Sequence, residues 1–422
     1  MNQRESHFSY RNGSLHVEEL PLATIAERFG TPCYVYSRAA LTAAYNDYRR
    51  VLHSAQGHDA LICYAVKANS NLAILNLFAR LGAGFDIVSG GELSRVLAAG
   101  GDPAKTVFSG VGKSRAEIEQ ALHAGIRCFN VESASELERI DEIAGRLRLK
   151  APISLRVNPD VDPKTHPYIS TGLKNNKFGV SFADALPLYR RARDLPNLVI
   201  LGIDCHIGSQ LLDPAPATEA AEKILGLVDT LAAEGIVLSH IDLGGGLGIR
   251  YRDETVPTTD EYLAPILALL KGRTEKLLVE PGRSLVGNAG LLLTRVEITK
   301  QGSEKNFAVI DAAMNDLMRP ALYDAWHDIL PVQERPETAS SNWEIVGPIC
   351  ESGDFLGRER PLALQEGDLL AILSAGAYGM TMSSNYNSRP RAAEVMVDGD
   401  RMHLVRQREE IATLYAGETL LP

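Results

Sequence analysis

Short apolar runs alternate with longer stretches of helical spacing between about residues 38 and 285. The short runs are rich in β-branched or aromatic residues, whereas stretches such as 72–81 and 134–143 repeat apolar residues at helical intervals. The predicted strands are residues 60–66, 84–88, 106–109, 127–131, 153–157, 199–206, 238–243 and 276–279. Because every parallel return needs a crossover, this alternation predicts a parallel sheet. Eight units over this length favour a closed (β/α)8 barrel, with an open doubly wound sheet as the alternative.

The pattern changes after Arg283, where short strands separated by turns replace the helical stretches. The predicted strands of this part are residues 291–299, 307–311, 343–346, 369–374 and 393–397. They indicate a second, mainly β domain, which we expect to take in the strand-like pieces at residues 14–17 and 33–36. The predicted domains are an N-terminal segment (1–37) packed with the β domain, the barrel (38–285) and the β domain (286–422).

Composition narrows the class of protein. Hydrophobic residues make up 45% and charged residues 23%, as in ordinary globular proteins. The formal net charge of −10 argues against nucleic acid as a partner, because nucleic-acid binders carry a basic surplus. No apolar run is long enough to span a bilayer, and residues 1–20 lack a secretory signal, so we expect a cytoplasmic protein. The five cysteines are scattered, so neither a metal site nor a disulfide framework is expected.

Polar residues follow the predicted barrel strands. In a barrel these positions open onto one face, where active sites lie. They are Lys67, Ser89, Ser109, Glu132, Asn158, His206–Ser209, Gly244–Gly246 and Glu280–Arg283. The strand interiors show no comparable chemistry.

Lys67 comes directly after the first barrel strand. A lysine amine in a desolvated barrel mouth can lose its proton and form an imine with a carbonyl compound. The alternative is a lysine whose side chain extends from the strand end to solvent, which is the better reading of a lysine considered alone.

The loops after the seventh and eighth strands carry groups suited to a phosphorylated ring compound. Consecutive glycines at residues 244–246 let backbone N–H groups approach an anion, although a plain tight turn is an equal alternative. Phosphate sites of such barrels usually lie at these two loops, and Arg283 can donate to a phosphate or to a substrate carboxylate. Glu280 beside a pyridine nitrogen would keep that nitrogen protonated; its alternative is an ion pair with an arginine.

The loop after the sixth strand contributes His206 and Ser209. The imidazole ring could stack on a flat cofactor, or it could be a satisfied core histidine. The hydroxyl of Ser209 could donate to a phosphate.

Three further clusters lie in the predicted β domain, where loops on a rigid scaffold often carry binding groups. They are residues 314–323 with Arg319 and Tyr323, residues 350–354 with Cys350, and residues 376–379 with Tyr378. A surface arginine, a buried cysteine and a turn tyrosine are the alternatives for each residue considered alone.

Six motifs follow one another along nearly the whole chain. They are Tyr64-Ala-Val-Lys-Ala-Asn69, His206-Ile-Gly-Ser209, Gly244-Gly-Gly246, Glu280-Pro-Gly-Arg283, Cys350-Glu-Ser-Gly-Asp354 and Gly376-Ala-Tyr378. Together they resemble the fold type III, alanine-racemase-like decarboxylases that use pyridoxal 5'-phosphate (PLP), a group that includes ornithine decarboxylase. Within this group they are most similar to the diaminopimelate decarboxylases. Segments 171–179 and 314–323 favour diaminopimelate over ornithine or arginine as the substrate. Glu351 favours it too, because ornithine decarboxylases carry Asp at this position. Asn176 departs from the Ser that is frequent at its position in the family.

The resemblance implies a reaction and a set of contacts. The reaction is loss of CO2 from meso-diaminopimelate to give L-lysine, the last step of lysine biosynthesis. Cofactor contacts are implied at Lys67, His206, Ser209, Gly244, Gly245, Gly246, Glu280, Pro281, Gly282, Arg283 and Tyr378. Substrate contacts are implied at Arg283, Arg319, Tyr323, Glu351 and Tyr378. Lys67 would carry PLP, and Cys350 would return the proton from the neighbouring protomer of a homodimer.

Other functions stay open at this point. An ornithine, arginine or carboxynorspermidine decarboxylase would share the fold, whereas a racemase would need a second base opposite the lysine. A non-catalytic homologue that binds a partner would be expected to lose cofactor contacts, yet Lys67, Glu280, Arg283 and Cys350 are all present.

Overall fold

A computed structural model describes residues 7–53, 59–162 and 177–422. The chain forms two compact units. The β unit contains the residues up to Ala43, Arg250–Glu254 and Leu285–Pro422, and the barrel unit contains Ala44–Ile249 and Thr255–Ser284. The predicted domain boundaries at residues 37 and 285 stay predictions. Most of the predicted segment 171–179, including Asn176, lies outside the described residues.

The N-terminal elements belong mainly to the β unit. They are β1 (Phe8–Arg11), β2 (Ser14–Val17), β3 (Leu20–Pro21), α1 (Leu22–Phe29), β4 (Cys33–Ser37) and α2 (Arg38–Leu52). Strands β1 to β3 form a small sheet of their own, in which both strand pairs are antiparallel. Leu15, Val17, Leu22 and Ile25 are buried in one hydrophobic core with Val35 of β4.

Eight parallel strands close into a barrel. The strands of the barrel unit are β5 (Ala60–Ala65), β6 (Gly84–Ile87), β7 (Thr106–Phe108), β8 (Cys128–Val131), β9 (Ala151–Asn158), β10 (Val180–Ser181), β11 (Leu198–Asp204), β12 (His240–Asp242) and β13 (Lys276–Val279). Their order is β9-β11-β12-β13-β5-β6-β7-β8, and the pairing of β8 with β9 closes the ring. The two-residue strand β10 pairs with β9. The predicted (β/α)8 barrel is therefore confirmed, with each of its eight strands in the expected place.

Helices connect the barrel strands. They are α3 (Leu72–Leu81), α4 (Gly90–Ala98), α5 (Arg115–Ala124), α6 (Ala134–Leu147), α7 (Phe182–Asp194), α8 (Ala215–Ala233) and α9 (Thr259–Leu269). Most of them begin after a Ser, Thr or Asn whose side-chain oxygen accepts from a backbone N–H of the first turn. Ser89 is the cap of α4, which gives this predicted strand-end residue a structural role.

The barrel interior changes from apolar to charged along its axis. Leu61, Cys63, Val107, Cys128 and Leu278 form a buried apolar cluster. Nearer the carboxyl ends of the strands, the interior holds the buried side chains of Asp86, Arg156, Asp204 and Asp242. The expectation that strand interiors carry no chemistry is therefore wrong. In a closed barrel an inward side chain near the end of a strand forms the floor of the site, although it belongs to the strand itself.

The β unit continues with a large mixed sheet. The remaining elements are α10 (Arg283–Val286), β14 (Gly290–Gln301), β15 (Asn306–Ile310), α11 (Arg319–Tyr323), β16 (Ile329–Pro331), β17 (Ser341–Val346), β18 (Phe355–Leu362), β19 (Leu369–Ile372), β20 (Ala393–Asp398), β21 (Arg401–Arg406) and α12 (Ile411–Leu414). The order is β18-β17-β15-β14-β4-β20-β21, and β19 pairs with β14 and β16. The N-terminal strand β4 lies between β14 and β20, as expected for a piece that joins the β domain. Across the described ranges, no helix is long and apolar enough to cross a membrane.

Candidate active site

Lys67 lies in a short helical turn, Val66–Ala68, directly after β5. Its Nζ lies 2.5 Å from Oδ2 of Asp86, which comes from the neighbouring strand β6 in register with Ala65. The Lys67 side chain is 37% exposed, whereas the Asp86 side chain is fully buried. A buried carboxylate therefore holds the lysine amine at the carboxyl end of the barrel, where reagents can reach it.

Three more carboxyl groups converge inside the barrel. Arg156, Asp204 and Asp242 lie side by side in register on β9, β11 and β12, and Arg156 Nε is 3.8 Å from Asp204 Oδ2. Oxygens of Asp204, Asp242 and Glu280 all lie within 4.8 Å of one another. Among the described residues, one buried oxygen on each of the three has no hydrogen-bond partner. We call Asp204, Asp242 and Glu280 the carboxyl cluster.

Burial makes the carboxyl cluster hold protons more tightly than exposed carboxyls do. Burial first, and then the charges of Asp242 and Asp86, raise the pKa of Glu280 well above its ordinary value. Burial also raises the pKa of Asp242 to about 7, against the backbone N–H of Gly244, which lowers it. The pKa of Asp204 is raised by burial and by Asp242, although Arg156 opposes the shift. Protons can therefore reside on this cluster near neutral pH.

His206 lies at the start of the loop after β11 and is partly buried. Its Nδ1 accepts a hydrogen bond from the backbone N–H of Gly245 over 3.2 Å. Burial, followed by the charges of Arg156 and Lys67, lowers the pKa of His206 well below its ordinary value. The imidazole is therefore neutral at physiological pH, and its orientation is set by the glycine loop.

The glycines after β12 are required by close packing. A Cβ on Gly244 would lie 2.6 Å from Nδ1 of His206, and a Cβ on Gly245 would lie 2.3 Å from the backbone oxygen of Glu280. Gly244 and Gly246 also have φ values of +66° and +124°, which side chains rarely adopt. Close packing thus explains why this loop consists of glycines, which the sequence alone also allowed as contacts to an anion. The backbone N–H of Gly245 donates to His206 in this structure.

Arg283 and Ser209 come together at the mouth of the barrel unit. Nε and Nη2 of the buried Arg283 side chain both lie 3.2 Å from Ser209 Oγ. A Cβ on Gly282 would lie 3.1 Å from that of Ala65, so the Pro281-Gly282 turn packs tightly against the end of β5. The backbone oxygen of Pro281 accepts from the N–H of Ala65 at 3.1 Å. A cation and a hydroxyl are therefore held side by side, as a phosphate site requires.

Other strand-end residues serve the loops. Ser109 Oγ accepts from the side-chain amide of Asn130. Glu132 accepts hydrogen bonds from Arg156 and from the backbone N–H groups of Gly110 and Gly179. Glu132 therefore joins three segments of the barrel mouth.

Sequence reasoning missed Asp86, Arg156, Asp204 and Asp242. One signal was available. Each is the only Asp, Glu, Lys or Arg of its strand, and a strand covered on both faces cannot expose that charge to solvent.

In the β unit, Arg319 and Tyr323 lie on the same short helix, α11. The Arg319 side chain is buried, and its guanidinium carbon lies 4.5 Å from the centre of the Tyr251 ring. Its Nη1 lies 2.9 Å from Nε2 of His327. The predicted cation is therefore held in position, and Tyr251 and His327, which contact it, are aromatic side chains that the motifs did not indicate.

The other two clusters of the β unit are loops. Asp354 is buried. Its Oδ1 accepts a hydrogen bond from the N–H of Met314 at 2.7 Å, and its Oδ2 accepts one from the N–H of Ile349 at 2.9 Å. These bonds connect the loop at 350–354 to the loop before α11. Cys350 and Glu351 of this loop are exposed. Tyr378 is partly buried and has a φ of +56°. The loop thus presents a thiol and a carboxylate outward on a backbone that Asp354 holds in place.

The residues of the barrel unit fit PLP. The Lys67 amine can form an imine with the aldehyde, and the unpartnered Glu280 Oε1 can accept from a protonated ring nitrogen. The Ser209–Arg283 pair can donate to the phosphate.

Comparison with known proteins agrees with this fit. Residues 38–287 match the family described as pyridoxal-dependent decarboxylase, pyridoxal binding domain. The diaminopimelate decarboxylase of Pseudomonas aeruginosa is 60% identical over 98% of this chain and 99% of that protein.

Two solved structures have the same fold over nearly their whole length. Diaminopimelate decarboxylase from Helicobacter pylori, complexed with L-lysine, matches with a TM-score of 0.90 and 43% identity over 94% of this chain and 99% of the other. The M. jannaschii enzyme in co-complex with L-lysine matches with a TM-score of 0.94 and 39% identity over 99% of each chain. The chain therefore belongs to the pyridoxal-dependent decarboxylases, in the family of the diaminopimelate decarboxylases.

Proposed function

We propose that this protein removes one carboxyl group from meso-diaminopimelate as CO2, with PLP as its cofactor, and releases L-lysine. Family membership over the full chain supports the reaction. The observation that carries it is the lysine amine held on Asp86 at the mouth of a barrel whose floor presents the unpartnered oxygen of Glu280. When bound, PLP supplies the electron sink that makes loss of CO2 feasible.

The barrel unit would hold the cofactor at three points. Lys67 would bind it covalently, and Asp86 fixes the position of that amine. Glu280 would accept the proton of the ring nitrogen, and the neighbouring carboxyls can hold the proton when the ring is absent. His206, neutral and fixed by the glycine loop, would lie against the ring, and Ser209 with Arg283 would bind the phosphate.

The β unit would recognise the end of the substrate that does not react. That end carries a carboxylate and an ammonium. Arg319, with Tyr323 on the same helix, would bind the carboxylate, and Glu351 the ammonium, with Arg283 and Tyr378 as further contacts. Hydrogen bonds to charged groups contribute about 1.5–3 kcal/mol each. Two or three of them would disfavour lysine or ornithine as substrates by roughly a hundredfold or more.

The proton donor would be Cys350. Its thiol is exposed on the loop that Asp354 anchors, next to Glu351. A thiol on an outer loop is suited to a site that a second copy completes, so we propose a homodimer in which Cys350 and Glu351 serve the neighbouring protomer. We also propose that the protein is located in the cytoplasm.

The test is a side-by-side assay of CO2 release and lysine formation with meso-diaminopimelate, ornithine and arginine, with PLP added. We expect turnover of meso-diaminopimelate alone. Lys67→Ala should lose both turnover and the visible absorbance of lysine-bound PLP, whereas Lys271→Ala, at an exposed position, should keep both. Faster release from ornithine or arginine would overturn the substrate assignment, and a visible band in Lys67→Ala would overturn the role of the lysine.

A further inference from the structure

His327 is fully buried in the β unit and lies in no motif described above. Its Nδ1 lies 2.8 Å from the backbone oxygen of Leu373, and its Nε2 lies 2.9 Å from Nη1 of Arg319. The imidazole thus links a backbone carbonyl at the end of β19 to the arginine of α11.

These two contacts define the protonation of the ring. A carbonyl oxygen can only accept, so Nδ1 must carry the hydrogen. A guanidinium group can only donate, so Nε2 must present its lone pair to Arg319. His327 is therefore a neutral imidazole in one tautomer, and Nη1 of Arg319 donates to it.

Both residues are held further by aromatic packing. The Arg319 guanidinium lies 4.5 Å from the centre of the Tyr251 ring, and the His327 ring meets the same tyrosine edge-on, with centroids 5.2 Å apart and an interplanar angle of 79°. Arg360 Nη2 donates to the backbone oxygen of His327 at 2.9 Å. Neither the arginine nor the histidine can turn without breaking several contacts.

We propose that His327 is a positioning residue that aims Arg319 at the carboxylate of the substrate end that does not react. The inference rests on the proposed function, in which Arg319 binds that carboxylate. A neutral acceptor fixes the direction of the guanidinium without cancelling its charge. A carboxylate in the same place would compete with the substrate.

Two substitutions separate the two ring nitrogens. In His327→Asn the amide nitrogen lies near the position of Nδ1 and can donate to the Leu373 carbonyl, but nothing replaces Nε2. In His327→Gln the amide oxygen reaches the position of Nε2 and can accept from Arg319. A role in positioning predicts loss in the Asn variant and rescue in the Gln variant, whereas a role in filling space predicts no such order.

Two ligands isolate the carboxylate. L-Lysine retains the carboxylate of the unreacted end, and pentane-1,5-diamine is the same molecule without it. Their dissociation constants are measured by calorimetry on the PLP-loaded enzyme, with the KM and kcat for meso-diaminopimelate beside them. We expect His327→Asn to raise the dissociation constant of L-lysine and the KM about tenfold, the effect of one charged hydrogen bond, with kcat and diamine binding changed less than about twofold. His327→Gln should stay within about threefold of wild type throughout.

The outcomes separate the inference from the proposed function. If Arg319→Ala leaves L-lysine binding unchanged, the proposed carboxylate contact is wrong. If Arg319→Ala weakens it and His327→Asn does not, the contact stands and the inference is overturned. Equal losses for both ligands, or no rescue by Gln, also overturn it. If the Asn variant does not fold, His327→Leu replaces it: a loss of L-lysine binding that the Gln variant does not share supports positioning, and wild-type binding of L-lysine in the Leu variant refutes it.

Discussion

Replacing Asp242 by Asn should flatten the pH dependence of stability of the cofactor-free enzyme. Asp242 is fully buried, and its pKa is raised from 3.8 to about 7. Between about pH 4 and pH 7 the folded protein keeps a proton on Asp242 that the unfolded chain releases. Unfolding then releases a proton, so the stability that this group contributes is complete below pH 4 and is lost as the pH rises through 7.

The magnitude follows from the size of the shift. Each pH unit inside the window removes up to about 1.4 kcal/mol from the free energy of unfolding, so about three units remove about 4 kcal/mol. The Asn variant has no proton to lose, and its amide keeps the shape of the side chain. The difference in unfolding free energy, wild type minus variant, should therefore fall by about 4 kcal/mol from pH 4 to pH 7.5.

The assay is urea unfolding of wild type and Asp242→Asn without PLP, followed by circular dichroism at several pH values. Because the two proteins are compared at each pH, groups remote from Asp242 cancel. Asp204 and Glu280, whose pKa values the charge of Asp242 raises, contribute to the difference together with it. Asp400→Asn, at an exposed turn position, is the control and should differ from wild type by a constant amount. A difference for Asp242→Asn that stays level within about 1 kcal/mol would refute the reasoning, because Asp242 would then be ionised in the fold.

Two further predictions concern the barrel unit. Lys113→Met should lower the free energy of unfolding in urea by about 3–5 kcal/mol, because it leaves the buried Glu136 carboxylate without the cation 2.7 Å away. The control is Lys271→Met at an exposed position. A loss near 1 kcal/mol, or a loss equal to that of the control, would contradict this prediction. Gly245→Ala should lower stability by about 1–3 kcal/mol and weaken PLP binding in a fluorescence titration, because its Cβ would lie 2.3 Å from the Glu280 backbone oxygen. Gly226→Ala, where a Cβ meets nothing within 4 Å, is the matched control; equal behaviour of the two variants would refute the packing argument.

The barrel could be predicted from the sequence because its signal is local. Each strand is a short, mainly apolar run, each helix has its own spacing and most have a cap, and the rule that parallel strands need crossovers supplies the topology. Lys67 and Glu280 could be predicted as site candidates for the same reason, since the carboxyl end of every strand reaches one face.

The floor of the site could not be predicted in this way. Asp204 and Asp242 lie at the ends of strands that the sequence reads as apolar, and only ring closure turns them toward one another. His327 was invisible because its partners are the carbonyl of Leu373, 46 positions away, and Arg319 on a helix of five residues. Such contacts depend on tertiary packing, which periodicity does not encode.

The place of β4 in the sheet of the β unit has a consequence for synthesis. Tyr36 on this strand donates to Glu394 on β20, 358 positions later, so the sheet needs both ends of the chain. The ribosome delivers β4 early, and its partners β14 and β20 only after the whole barrel has emerged. During that interval β4 is an apolar strand with both edges unpaired, the kind of segment that recruits other chains. We therefore expect the N-terminal strand, rather than the barrel, to set the demand for chaperones during folding, measurable as aggregation of nascent chains truncated before residue 393.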